Sequence, residues 1–180
     1  MTFTEDDTNS FSGSEDVVGT AREAPELPGP FGLQALEMRR AGFAVLPAEG
    51  KKPLIRGFAK WSVAPSANTL LEWNEQHSCA DLVYIPGLSR IDQKGRWRTI
   101  VLDADSPGAA QQVRDYFGDT AGRVKTRRGL HCLYRIPAAD IARIQQLLGN
   151  NGDLRGVGID ADIKFGNQIV VAPPSRHEKD

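Results

Sequence analysis

The chain has 180 residues, 22 Lys plus Arg against 23 Asp plus Glu, 40% hydrophobic residues and 2 Cys. That length suffices for one well-cored domain with a small lobe attached, and no stretch approaches the ~18 apolar residues that a membrane span requires. The first thirty positions are acidic where a secretory signal needs a positive flank and an apolar core, so a cytoplasmic protein without a membrane partner is expected. Cys79 and Cys132 lack Cys-x-x-Cys spacing; they read as reduced, packed thiols rather than a disulfide framework or a structural zinc site.

Charge is divided unevenly along the chain. Residues 1–28 hold seven acids against Arg22 alone, a net of −6, and the remainder carries 21 basic against 16 acidic residues, a net of +5. The folded part is thus basic, which suits nucleic acid or a nucleotide. Residues 1–30 are rich in Ser, Thr, Asp, Glu, Gly and Pro and cannot bury enough apolar surface to offset ordering entropy, so they are expected to form a disordered acidic tail ahead of a domain over 31–180.

From Phe31 the pattern becomes globular. A short helix carrying Leu33, Leu36 and Met38 stops at Gly42. A strand over 43–46 leads into Gly50-Lys51-Lys52-Pro53, and a second helix begins at a Ser66 cap with Leu70 and Trp73 on one side. Residues 82–85 read as a strand ending at Pro86-Gly87. These elements form a small mixed layer.

The second half reads as a strand over 97–102, then a helix opened by Ser106-Pro107 with Ala110, Val113 and Phe117 inward. Strands over 123–126 and 130–136 follow, then a helix with Ile141, Ile144 and Leu148 stopped by Gly149, and a strand over 157–164. The order is β-α-β-β-α-β, the split arrangement in which the third and fourth strands flank the first. A further strand over 168–172 is expected to fold back as a hairpin across Gly166-Asn167.

Asp103 and Asp105 end an apolar run, and the period-2 alternation of a strand sends both carboxylates to one side. Such a pair holds a divalent cation or a basic partner; the bland account is that Asp105 and Ser106 merely cap the next helix. Asp160 and Asp162 form a second pair on the fourth strand. In the split arrangement the start of that strand meets the end of the first, so the two acidic clusters converge. The turn Thr126-Arg127-Arg128-Gly129 leads into His131, which by the same antiparallel logic approaches Asp103. Arg forks and an imidazole suit phosphate oxygens beside metal-binding acids, although a lone strand His is more often a core residue. The loops at Lys52, Pro86-Gly87 and Ala172-Pro173-Pro174-Ser175-Arg176-His177 offer amides or cations, or are ordinary turns.

Together these residues resemble the archaeo-eukaryotic primase superfamily, in particular the bifunctional primase-polymerase domain of bacterial, phage and plasmid replication proteins. The resemblance runs from about Phe31 to His177. It rests on Gly42-Phe43-Ala44-Val45-Leu46-Pro47 with Gly50-Lys51-Lys52-Pro53, on Trp61, Trp73 and Pro86-Gly87, and on three motifs in order. These are Val101-Leu102-Asp103-Ala104-Asp105, Gly129-Leu130-His131, and Ala161-Asp162 followed by Val170-Val171-Ala172-Pro173-Pro174-Ser175.

The resemblance implies an α+β primase fold, with an RRM-like split catalytic sheet packed with a small N-terminal αβ layer. It implies template-directed nucleotidyl transfer on a DNA template and primer from a dNTP or NTP, with Asp103, Asp105 and Asp162 holding two Mg²⁺ or Mn²⁺ ions. His131 would grip the triphosphate with Arg128 and Arg127, and Lys52, Gly87 and Ser175 would contact the nucleotide or template from the rim. Gly129 stands where relatives often have Ser, which removes one hydroxyl donor but leaves an amide. Relatives usually continue beyond Pro-Pro-Ser, often into a helicase or helical priming domain. Extension is therefore expected as the main activity, with a separate helicase or replication protein as partner. The alternatives are a non-catalytic nucleic-acid-binding replication-initiation module that keeps the fold, and a metal-dependent phosphodiesterase. A plain RNA-recognition domain is disfavoured because acids and His131 stand where stacking aromatics belong.

Overall fold

Apolar residues on both faces of the strand that ends at Asp103 set the architecture. Ile100, Val101 and Leu102 are all buried, so this strand has a core on each side. The computed structural model describes residues 27–89, 92 and 94–175. In chain order these form α1 (Pro30–Arg40), β1 (Val45–Glu49), β2 (Lys52–Pro53), α2 (Ala67–His77), β3 (Asp81–Tyr84), β4 (Trp97–Ala104), α3 (Pro107–Phe117), β5 (Gly122–Lys125), β6 (Leu130–Pro137), α4 (Ile141–Leu148), β7 (Asp162–Lys164) and β8 (Val170–Val171). The strands make two four-stranded sheets, ordered β2-β1-β3-β8 and β5-β6-β4-β7, with every pairing antiparallel. The protein is thus a mixed α+β fold.

One face of the second sheet packs Ile100, Leu102, Ala104, Cys132 and Ile163 against Ala109, Ala110 and Val113 of α3, with Ile141, Ile144 and Leu148 of α4 alongside. On its other face Val101 and Leu133 join Phe31, Val45, Leu82, Tyr84 and Val170, so the two sheets share an apolar cluster. The far face of the first sheet buries Leu46, Val83 and Ile85 under Phe58 and Trp61; Trp61 stacks on Trp73 with centroids 5.9 Å apart. Two helices start as the caps predict: the Ser66 and Ser106 hydroxyls accept from Thr69 N and Ala109 N.

Several expectations need correction. The strand expected over 157–164 is only Asp162–Lys164; a 3-10 turn occupies Arg155–Val157 and Gly158 takes φ +84. The segment 168–172 does not fold back on β7. It crosses to the other sheet, where β8 pairs with β3 and Val170 and Ala172 are buried. The N-terminal layer is therefore completed by chain from beyond β7. In α1 the buried residues are Phe31 and Ala35, and Leu33 is exposed. The first strand begins at Val45 rather than 43, Phe117 is partly exposed, and Cys79 is exposed where a packed thiol was expected.

Chain packing already includes Gly29, whose N–H donates to Ser78 O. Most of the expected acidic tail, residues 1–26, lies outside the described residues, as do Arg176 and His177. Among the described residues no helix is long and apolar enough to cross a membrane.

Candidate nucleotide-transfer site

The register of the second sheet places the chemistry. His131 on β6 and Asp162 on β7 both stand directly opposite Asp103 on β4. Directly opposed residues share a face with Cβ atoms roughly 5 Å apart, so an imidazole and two carboxylates form one row across three strands. A bridge between Asp153 and Asp162 extends the row by a fourth segment. The row lies on the face turned toward the first sheet, opposite α3 and α4.

His131 Nε2 donates to Asp103 Oδ1 at 3.1 Å, with the side chains only 15% and 24% exposed. Burial alone would push the Asp103 carboxyl up. The hydrogen bond from His131, the His131 charge, and the charges of Lys164 and Lys51 together outweigh it and hold the carboxyl below its ordinary range. His131 Nδ1 is buried with no protein partner, as is the hydroxyl of Tyr84 on β3. Burial and the Asp103 charge push the Tyr84 phenol far upward, so it remains a neutral donor.

The remaining acids carry cations. Arg128 Nη2 lies 3.2 Å from Asp105 Oδ1, both side chains exposed. Asp162 takes Arg155 Nη1 at 2.9 Å on one oxygen and Lys164 Nζ at 3.0 Å on the other. Asp160, outside the strand, meets Arg155 Nε at 3.1 Å. Three carboxylates are hard donors, right in kind for Mg²⁺ or Mn²⁺. Among the described residues no three His, Cys, Asp or Glu side chains are grouped closely enough to hold an ion, and Asp105 and Asp162 are each paired with a basic side chain.

Other expected contacts are spread around this row. Arg127 is exposed in the turn before β6. Gly129 N–H donates to Thr126 Oγ1, so its amide is engaged within the turn. A Cβ there would come within 1.8 Å of Ala104 O, which leaves no room for the Ser that relatives often carry. Lys52 is exposed on the edge strand β2, and it is Lys51 whose charge reaches Asp103. Gly87 is buried, its N–H donating to Gly166 O at 2.8 Å; a Cβ would meet Gly166 Cα at 2.4 Å. The Ser175 hydroxyl accepts from Leu82 N at 2.6 Å and donates to Leu82 O at 3.2 Å, clipping the chain after β8 onto β3. Sequence reasoning singled out the Gly50-Lys51-Lys52-Pro53 loop but chose Lys52 over Lys51, and it missed Tyr84, Asp153, Arg155 and Lys164. Only Lys164 carried a usable signal, since two residues on from Asp162 in a strand it shares that face.

The family described as bifunctional DNA primase/polymerase, N-terminal, matches residues 35–180. The chain belongs to this family. No curated protein and no solved structure gives a significant match. Membership in the primase/polymerase family ties the chain to DNA replication and, in general terms, to nucleotidyl transfer. The Asp103, His131 and Asp162 row lies wholly inside the matched segment.

Proposed function

We propose that this domain is a template-directed DNA primase/polymerase of a bacterial, phage or plasmid replication system, using two divalent metals. The sheet β5-β6-β4-β7 with α3 and α4 is, in this reading, the RRM-like split β-α-β-β-α-β arrangement of the archaeo-eukaryotic primase fold. The observation that carries the proposal is the row of His131, Asp103 and Asp162 on one face of that sheet.

Asp103, Asp105 and Asp162 would hold Mg²⁺ or Mn²⁺, which when bound lowers the pKa of the primer 3′-hydroxyl and neutralises charge on the leaving pyrophosphate. Asp103 is ready for that task because His131, Lys164 and Lys51 keep it ionised despite its burial. His131 orients the Asp103 carboxylate through Nε2 and keeps Nδ1 unclaimed for the nucleotide. Arg128, in a solvent-exposed pair, can trade Asp105 for a phosphate oxygen, its planar fork matching either. Lys51 adds positive charge from the first sheet. Lys52, Arg127, Gly87 and Ser175 are rim candidates at most, the last two already bonded within the fold.

Primer extension on a primed template with Mg²⁺ or Mn²⁺, run with dNTPs and with NTPs, tests this. Incorporation is expected, and Asp103→Ala with Asp105→Ala should lower it at least about a hundredfold, as loss of groups stabilising transition-state charge does. No incorporation, with metal and nucleotide bound equally well by the double variant, would remove the enzymatic reading. The cations seated on Asp105 and Asp162 favour one alternative, a non-catalytic DNA-binding replication-initiation module. That version predicts DNA affinity steeply dependent on salt and indifferent to the acid substitutions. A phosphodiesterase would shorten the labelled strand rather than extend it.

A further inference from the structure

The sheet face that carries His131 and Asp103 continues past them along β6. His131, Leu133 and Arg135 alternate onto that face, opposite Asp103, Val101 and Thr99 of β4. β5 begins opposite Leu133, which leaves the edge of β6 beyond it open. In that opening lies a groove of about 610 Å³, reached by Phe43 from the first layer and by Phe117 from the end of α3. From His131 to Arg135 is about 13 Å of strand, the rise of about four stacked nucleotides. Phe117 leaves 45% of its surface in solvent, an aromatic face that the core does not use. The exposed Arg135 guanidinium stands 5.3 Å from the centroid of the Trp97 ring and has no carboxylate partner among the described residues. The one acid in the lining, Asp119, is held by Arg123 at 3.2 Å, so the groove joins aromatic walls to a net positive rim.

We propose that this groove is a track for unpaired DNA, with bases lying against Phe117 and Phe43 and a phosphate on Arg135, so that a single strand runs from the groove toward His131 and Asp103. The choice of DNA rests on the primase/polymerase reading of the domain. Unpaired bases suit the groove because each has an apolar face to offer, and stacking on an aromatic ring tolerates any sequence. Duplex DNA does not suit it, since paired bases cover one another's faces and show a protein only their edges and phosphates. An apolar peptide would fill the walls and leave the Arg135 charge without a counter-ion, because the Trp97 ring attracts the guanidinium but does not neutralise it. A phosphate supplies that counter-ion, and the guanidinium fork takes two of its oxygens.

The test is fluorescence anisotropy of a short end-labelled oligo-dT, and of a duplex of equal length, titrated with the full chain in EDTA so that no metal enters the measurement. Phe117→Ala should weaken single-strand binding about fivefold or more, the loss of one stacked base, and leave duplex binding unchanged. Arg135→Gln should also weaken single-strand binding, and the slope of log affinity against log salt should become shallower by about 0.7, the signature of one phosphate contact. Arg143→Gln, which removes an equal charge from α4 on the opposite side of the sheet, should change neither affinity nor slope. Phe117 and Arg135 are both exposed, so the two variants should keep the circular dichroism and melting temperature of the wild type. Unchanged single-strand affinity in Phe117→Ala, equal weakening on duplex, or equal weakening in Arg143→Gln overturns the proposal. Primer extension separates the two levels. If the wild type extends a primer while Phe117→Ala and Arg135→Gln hold the single strand as tightly as it does, only the track falls. If the wild type neither binds DNA nor extends a primer, the polymerase reading falls and the track with it.

Discussion

At Asp103, burial and ion pairing pull in opposite directions, and the outcome is measurable. The carboxyl sits below its ordinary range, so the folded state binds fewer protons there than the unfolded chain does at mildly acid pH. Its stabilising contribution is complete above the unfolded carboxylate pKa of about 3.9 and is lost as pH falls through the lower folded value. Thermal melting should therefore fall as pH drops from about 5 toward about 3, and Asp103→Asn should flatten that decline. An unchanged acid limb in the variant would show that other acids govern it. Tyr84 makes the opposite case. Its hydroxyl is buried without a partner, so Tyr84→Phe removes an unsatisfied group and should leave the melting temperature level or about 1–3 °C higher. A clear fall would reveal a hydrogen bond on which the fold depends. Neither Tyr84 nor Lys51 could be picked out from the sequence as near Asp103, since each lies on the other sheet and only the packing of two layers brings it there.

Local chemistry wrote the elements that were legible in advance. Ser106-Pro107 announces a helix because a hydroxyl cap and a residue lacking an N–H fit the same first turn, and α3 begins there. The apolar run ending in Asp-x-Asp reads as a doubly covered strand with polar residues at its tip, and β4 is that strand. What failed depended on choices between distant partners. The chain after Gly166-Asn167 carries a hairpin signal, yet Asn167 donates to Ala59 O at 2.8 Å and Trp61 O at 2.9 Å, and β8 finds its pair on β3. Alternation also promised that Asp160 would share a face with Asp162. Gly158, at φ +84, instead lets the chain turn there, and the backbone N–H of Asp160 bonds Gln112 Oε1 in place of a ladder partner. The row of His131, Asp103 and Asp162 was inferable because register follows from antiparallel pairing once strand order is right. Of the cations seated on Asp162, Lys164 was inferable from strand alternation but Arg155 was not, because a long Arg side chain reaches sites that no local spacing encodes.

Across the whole molecule, the two sheets are joined by one buried cluster rather than by a hinge of polar contacts. Val101 and Leu133 of the second sheet lie in the same cluster as Phe31, Val45, Leu82 and Tyr84, and β8 ties chain from beyond the acidic row back to β3. A charge row on one sheet and Lys51 on the other keep a fixed relation only if the layers do not part, so this joint core is a requirement of the site as well as of the fold. The two layers should unfold as one cooperative unit. Leu82, with no exposed surface, belongs to the shared cluster and lies outside the His131, Asp103 and Asp162 row. Leu82→Ala should cost about 2–5 kcal/mol, lowering the melting temperature by roughly 5–15 °C for a domain of this size. In a Trp97→Phe background, which removes the tryptophan of the second sheet, fluorescence from the Trp61 and Trp73 stack reports the first sheet, and far-UV circular dichroism reports both. The two signals should shift together in the variant, with a single midpoint. Separate midpoints, with tryptophan fluorescence changing first, would mean that the layers melt independently and that the basic groups reaching Asp103 from the first sheet are held only loosely.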